Sequence, residues 1–131
     1  MKTNLSLPIA SLLSIVLLTF HLADDVVLGK DVLDITRLCI YLPIIAVWLY
    51  ATLVLTERPS GLIIALLGSL LGLAVVAIHA SGPAGIHGEF FHVWLLVAIG
   101  GTSLFALLLA VSRLVAQKNA THWRTRTKAT Q

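Results

Sequence analysis

The stretch Leu62–Ala80, with the sequence LIIALLGSLLGLAVVAIHA, decides the class of fold. It contains no Asp, Glu, Lys or Arg. As an α-helix it would be about 28 Å long, close to the hydrocarbon core of a bilayer at about 30 Å. A backbone group without a hydrogen-bond partner is costly in lipid, so an apolar segment of this length is expected to cross the membrane as an α-helix.

Three further stretches have the same character, and each is bounded by charged residues, Pro or Gly. The whole chain has 131 residues, of which 58% are hydrophobic and 11% are charged. These fractions leave too few polar side chains to cover a soluble domain of this size. We therefore predict an all-α polytopic membrane protein, with four transmembrane helices in an antiparallel up-and-down bundle. The spans are at about 5–23, 38–55, 62–80 and 90–112, within one domain of residues 1–112.

The first apolar stretch could instead be a secretory signal peptide, because Lys2 precedes it. A signal peptidase site has small residues at the first and third positions before the cut. In the segment Phe20–Ala23 the bulky His21 occupies that third position. We therefore expect this stretch to remain in the protein as the first span.

Basic residues are distributed unequally between the two sides of the predicted bundle. One side carries seven of them: Lys2, Arg58, Arg113, Lys118, Arg124, Arg126 and Lys128. The opposite side carries Lys30 and Arg37. Lys and Arg concentrate on the cytoplasmic side, so we predict that both termini are cytoplasmic in a bacterial inner membrane. Residues 113–131 would form a basic cytoplasmic tail, either disordered or lying on the lipid headgroups.

Several functional classes are not indicated by the sequence. The net charge of +3 comes from residues that flank the spans, so it does not indicate nucleic-acid binding. Cys39 is the single cysteine, which excludes an intrachain disulfide and a CxxC motif. The sequence has no nucleophile-and-base arrangement, phosphate-binding loop or nucleotide fingerprint, so an enzyme is not expected.

Small residues recur on one face of the third predicted helix, at Gly61, Ala65, Gly68 and Gly72. Gly68 and Gly72 form a small-xxx-small element that lets a second helix backbone approach closely. This face predicts a tightly packed neighbour. The neighbour could be another helix of the same chain, a second copy of the chain or another subunit of a membrane complex.

Aromatic residues with a polar group are expected near the two membrane interfaces. Four of them lie mostly towards the ends of the predicted spans: Tyr41, Trp48, Tyr50 and Trp94. We therefore predict that these side chains anchor the bundle at the lipid headgroups.

Most of the histidines and acidic residues lie on the predicted outer side of the bundle. The candidate site residues among them are His21, Asp24, Asp25, His79, His87, Glu89 and His92. Counted from the inner end of each span, His21, His79 and His92 lie about 24, 26 and 30 Å along their helices. Three helices therefore place an imidazole near the same plane, where a shared site is geometrically feasible.

The spacing of these residues fits metal-ligand chemistry. Asp24 and Asp25 lie three and four residues after His21, so either can share its helical face. Glu89 and His92 form Glu-x-x-His, a spacing that directs a carboxylate and an imidazole at one ion in helical bundles. Imidazole and carboxylate ligands suit zinc, iron, copper or manganese, and the pattern does not select among them.

Other interpretations of the same residues stay open. Two histidines from different helices could ligate a haem, and ionisable groups near the spans could serve a proton or small-solute path. The polar residues could also simply be solvated in the headgroup region, in a non-catalytic accessory or structural subunit of a membrane complex. We expect a small integral membrane protein that binds a transition metal, with the accessory subunit and the transporter as alternatives.

Overall fold

The computed structural model describes the backbone of residues 5–27, 35–81 and 90–129, and the side chains of residues 5–25, 39–81 and 90–120. Four helices account for nearly all of this part of the chain: α1 (Ser6–Val27), α2 (Ile35–Val54), α3 (Pro59–Ser81) and α4 (Phe90–Ala129). No strand occurs among these residues. The predicted all-helical class is confirmed.

Three of the helices contain a stretch that is long and apolar enough to cross a membrane. These stretches are Ser6–Asp25 in α1, Pro59–Ser81 in α3 and Phe90–Ala120 in α4. The apolar part of α2 that the structure describes, Cys39–Val54, is shorter. Large apolar side chains also cover the outside of the helices, as at Leu67 and Leu108. Length and composition are therefore consistent with an integral membrane protein.

A tight turn joins α2 to α3. The backbone N–H of Arg58 donates to the carbonyl of Leu55 at 2.9 Å, and Pro59 begins α3, where its fixed φ angle suits the first helical position. Gly61 is packed against the backbone of Leu55, and a Cβ atom at this position would overlap the Leu55 carbonyl. The turn therefore requires glycine at this position.

The contacts between helices show that neighbours along the chain run in opposite directions. Near one end of the bundle, Ser11 of α1 bonds Thr52 of α2. Towards the other end, His21 of α1, Tyr41 of α2 and His79 of α3 line one cavity. Within the described residues, α1 and α3 contact each other and both other helices, whereas α2 and α4 do not contact each other.

Trp48 lies in the core and not at a membrane interface. Its side chain is 1% exposed, and its Nε1–H donates to the Ser11 hydroxyl at 2.8 Å. The indole packs on Gly68 of α3, in the space that a Cβ atom would fill. The prediction of an interface anchor was therefore wrong for Trp48, because a tryptophan whose N–H has a partner can be buried.

The glycine face of α3 is covered by side chains of the same chain. Trp48 of α2 covers Gly68, and Ser103 of α4 covers Gly72. The contacts found on this face are therefore made by other helices of the same chain, which is one of the predicted neighbours. Association with a second copy or another subunit through this face stays a prediction.

α4 continues well beyond the predicted end of the fourth span at residue 112. It runs without interruption to Ala129, a length of 40 residues. The disordered form of the predicted tail is therefore wrong for residues 113–129, which are helical. No helix end marks residue 112, so the division between span and tail stays a prediction.

Candidate functional site

Three imidazole rings meet at one end of the bundle. His21 lies near the end of α1, His79 in the last turn of α3 and His92 in the first turn of α4. The ring centroids are 4.8 Å apart for His21 and His79, 5.0 Å for His21 and His92, and 5.6 Å for His79 and His92. The equal depth expected from the sequence thus corresponds to direct contact between the rings.

Asp24 holds the ring of His92. The Nδ1 atom of His92 lies 3.0 Å from the Oδ2 atom of Asp24. A carboxylate can only accept, so Nδ1 carries the proton and the lone pair of the neutral ring is on Nε2. Carboxylates of this kind commonly orient the histidines that bind metals and fix their tautomer.

The ring of His79 is held by its own helix. Its Nδ1 atom lies 2.8 Å from the carbonyl oxygen of Val75, one turn earlier in α3. Because a carbonyl only accepts, Nδ1 is again the protonated nitrogen, and Nε2 carries the lone pair of the neutral ring. His79 and His92 therefore share a tautomer, each set by a bond to oxygen.

His21 differs from both neighbours, because neither of its ring nitrogens has a hydrogen-bond partner. Its side chain is 1% exposed, and both nitrogens are buried. Oδ2 of Asp25 lies 3.4 Å from Nε2, which is longer than a good hydrogen bond. An unpartnered buried polar group costs about 1–3 kcal/mol. His21 is therefore placed where a bound ligand would remove that cost.

A metal ion could satisfy His21 without a large rearrangement. One ring nitrogen each from His21 and His92, and one carboxylate oxygen of Asp25, all lie within 4.8 Å of one another. Ligand atoms around a tetrahedral zinc are about 3.3 Å apart, given bonds of about 2.0–2.1 Å. Side-chain rotations that move these atoms by about 1 Å would therefore bring the set to bonding distance.

The electrostatics of this end of the bundle are set by the carboxylates. Helix C-termini carry partial negative charge and N-termini partial positive charge. The C-terminal ends of α1 and α3 meet the N-terminal ends of α2 and α4 here, so the helix dipoles largely offset one another. Asp24 and Asp25 are both only partly exposed and lie directly beside the imidazoles. The site is therefore suited to a cation.

A cavity of about 190 Å³ adjoins the histidines, between α1, α2 and α3. His21, Asp25 and His79 form its polar end. The remaining wall is largely apolar and includes Leu18, Ile45, Leu71 and Val75. The cluster therefore has a pocket on its α2 side.

The structure brings together five of the seven candidate residues named from the sequence: His21, Asp24, Asp25, His79 and His92. His87 and Glu89 lie outside the described residues, so the Glu-x-x-His pair stays a prediction. Sequence reasoning missed Tyr41, which lines the cavity beside His21. Its place near the outer end of the second predicted span was the available signal, but it was interpreted only as an interface anchor.

Comparison with known proteins adds no further residue or role. The chain matches no known protein-family model, no curated protein sequence and no solved structure. Its function is therefore argued from the site itself.

Proposed function

We propose that this chain is a small integral membrane protein that binds one divalent transition-metal ion at the outer end of its helical bundle. The ligands are His21, Asp25 and His92, and Asp24 orients the ring of His92. The observation that carries the proposal is the buried His21 side chain. It has no hydrogen-bond partner, yet it lies beside another imidazole and a carboxylate within 4.8 Å.

The donor set narrows the choice of metal. Two imidazoles and one carboxylate are the ligands of many zinc sites and of non-haem ferrous sites, which leave further positions open for water or another molecule. The carboxylates of Asp24 and Asp25 balance the charge of a divalent ion. We therefore favour zinc or ferrous iron over copper and manganese.

A haem receives less support from the same geometry. Two histidines that ligate haem iron lie on opposite faces of the macrocycle. Here the His21 and His79 rings contact each other edge to face, with centroids 4.8 Å apart, which leaves no room for a macrocycle between them.

Transport through the bundle is likewise weakly supported. Ser14 and Ser69 both donate to carbonyls of their own helices, and Ser11 bonds Trp48 and Thr52. These three hydroxyls are occupied within the protein, whereas the buried Ser103 Oγ has no partner. The described middle of the bundle carries no charged side chain. A polar path from the histidines to the other end is therefore not apparent in this part of the chain.

For the membrane arrangement, we propose four crossings with both termini in the cytoplasm of a bacterial cell. The complete α2 helix has 20 residues and is about 30 Å long, which is enough to cross the hydrocarbon core. It also packs against α1 and α3. Seven of the nine Lys and Arg residues would then lie inside, and the histidine cluster would open to the outside.

The proposal is tested by measuring the metal content of protein purified without a histidine tag. After zinc or ferrous iron is added and excess is removed, we expect one ion per chain in the wild type. His21→Ala, His92→Ala and Asp25→Ala are each expected to lose it, with affinity at least tenfold weaker. His122→Ala is the matched control, because His122 lies about 45 Å further along α4.

A different result would support the non-catalytic accessory subunit. A protein that holds no stoichiometric metal, and that behaves alike with and without alanine at His21 and His92, would contradict the metal site. Equal loss of metal in the His122→Ala control would also contradict it, because binding would then not depend on the cluster.

A further inference from the structure

The cavity beside the histidines adjoins an apolar groove. Ile44 of α2 and Leu71 of α3 belong to the walls of both. The groove follows α2 and α3 away from the cluster and has a volume of about 460 Å³, with Trp48 and Gly68 in its wall. The cavity therefore offers a polar end, and the adjoining groove offers an apolar surface along α2 and α3.

The polar end is open to a hydrogen-bonding ligand. His21 lines the cavity, is almost fully buried and has no partner at either ring nitrogen. An imidazole N–H can donate to an oxygen of a ligand, and the Asp25 carboxylate can accept from a ligand hydroxyl. The cavity therefore matches a head group that carries carbonyl or hydroxyl oxygens.

Charge and size restrict the head group further. Asp25 would repel the carboxylate of a fatty acid or the phosphate of a phospholipid, because like charges in a poorly solvated site are unfavourable. A volume of about 190 Å³ suits a single ring better than a fused ring system. The ligand that fits is a neutral, single-ring molecule with a long apolar tail.

We propose that the space between α1, α2 and α3 binds a membrane-soluble benzoquinone or its quinol. The ring lies in the cavity with an oxygen at His21, and the tail follows the groove past Leu71 and Trp48. This inference goes beyond metal binding but shares His21 and Asp25 with the proposed metal site, so it concerns the metal-free protein. His92 and Asp24, by contrast, lie outside the cavity wall. The proposal concerns binding only.

Binding is measured through the fluorescence of Trp48, whose indole lies in the wall of the groove. Quinones quench tryptophan fluorescence at close range. In a Trp94→Phe and Trp123→Phe background Trp48 is the sole tryptophan. Decylubiquinone is titrated into this protein in lipid nanodiscs. We expect saturable quenching of the Trp48 emission, above the linear background of quinone dissolved in the lipid.

Two matched substitutions locate the binding. Leu71→Phe narrows the junction of cavity and groove and is expected to weaken binding at least tenfold. Leu70→Phe, at an exposed neighbouring position outside both walls, should leave binding unchanged. If Leu71→Phe fails to fold, Ile44→Phe with its exposed neighbour Leu42→Phe as control gives the same comparison on α2.

Two further measurements distinguish quinone binding from metal binding and from the binding of other lipids. His92→Ala should still bind decylubiquinone even though it is expected to lose the metal. Dodecanoate should fail to displace the quinone. The proposal is overturned if quenching is not saturable, if each Phe variant behaves like its control, or if dodecanoate displaces the quinone.

Discussion

At the scale of single residues, His21 combines burial with an unsatisfied hydrogen-bonding capacity. Buried side chains usually have a partner, because an apolar surrounding does not replace the hydrogen bonds lost from water. His79 and His92 obey this rule through Val75 and Asp24, whereas His21 does not. Ser103 Oγ is also buried without a partner, but His21 lies beside a second imidazole and a carboxylate, which indicates a binding position more than a structural one.

Replacing His21 by leucine should therefore affect the metal-free and metal-loaded proteins differently. In the metal-free protein, His21→Leu removes the unpartnered nitrogens, and the free energy of unfolding is expected to rise by about 1 kcal/mol or more. With zinc present, the wild type should gain stability by mass action and the variant should not. Thermal unfolding in detergent, with and without zinc, measures both effects.

The control for this comparison is His122→Leu, which should leave unfolding unchanged in both conditions. A metal-free His21→Leu protein that is clearly less stable than the wild type would show that His21 contributes a favourable interaction. That result would contradict the argument from its missing partners.

At the scale of the helices, the sequence predicts more about where each one lies than about which neighbour it packs against. Long uncharged stretches indicate helices in lipid, and helix length gives the depth of His21, His79 and His92. These features depend on local sequence alone. The contact of Trp48 with Gly68 depends on the orientation of α2 about its own axis relative to α3, which a single sequence does not determine. The burial of Trp48 was therefore not predicted.

The same limit applies within the site. The proximity of Asp24 and Asp25 to His21 follows from helical spacing along α1. That Asp24 bonds His92 of α4 depends on the packing of two distant segments of the chain. Spacing thus predicted the members of the cluster, whereas their individual bonds required the tertiary structure.

The packing of α2 on α3 makes a prediction about two glycines. Gly68→Ala places a methyl group in the space of the Trp48 indole and should lower the free energy of unfolding by about 1–3 kcal/mol. Gly101→Ala is the control, because a Cβ atom there meets no other atom within 4 Å. Because alanine has a higher helix propensity than glycine, Gly101→Ala should leave the free energy of unfolding unchanged or raise it slightly.

A double substitution separates the clash from a general effect of alanine. Gly68→Ala should lower the free energy of unfolding by a smaller amount in a Trp48→Leu background, because the smaller leucine side chain leaves room for the methyl group. Unfolding of the four proteins in detergent completes this cycle. Equal costs for Gly68→Ala in both backgrounds would contradict the role given to the Trp48 contact.

At the scale of the whole molecule, the proposed orientation places the histidine cluster at the outer face of the membrane. It is tested with single cysteines in a Cys39→Ser background and a membrane-impermeant maleimide. In cells with a permeabilised outer membrane, Ala84→Cys, between α3 and α4, is expected to react. Glu57→Cys, between α2 and α3, should react only after the inner membrane is disrupted. The reverse pattern would contradict the proposed orientation, and labelling of both from outside would contradict the count of crossings.

X-ray absorption of the zinc-loaded protein measures most directly which atoms hold the metal. We expect a shell of nitrogen and oxygen at about 2.0–2.1 Å from the zinc, with outer-shell scattering from two imidazoles. In His92→Ala, loaded at a zinc concentration high enough to offset its weaker affinity, the contribution of one ring should be absent. A shell without imidazole scattering, or one containing the sulfur of the exposed Cys39, would contradict the claim.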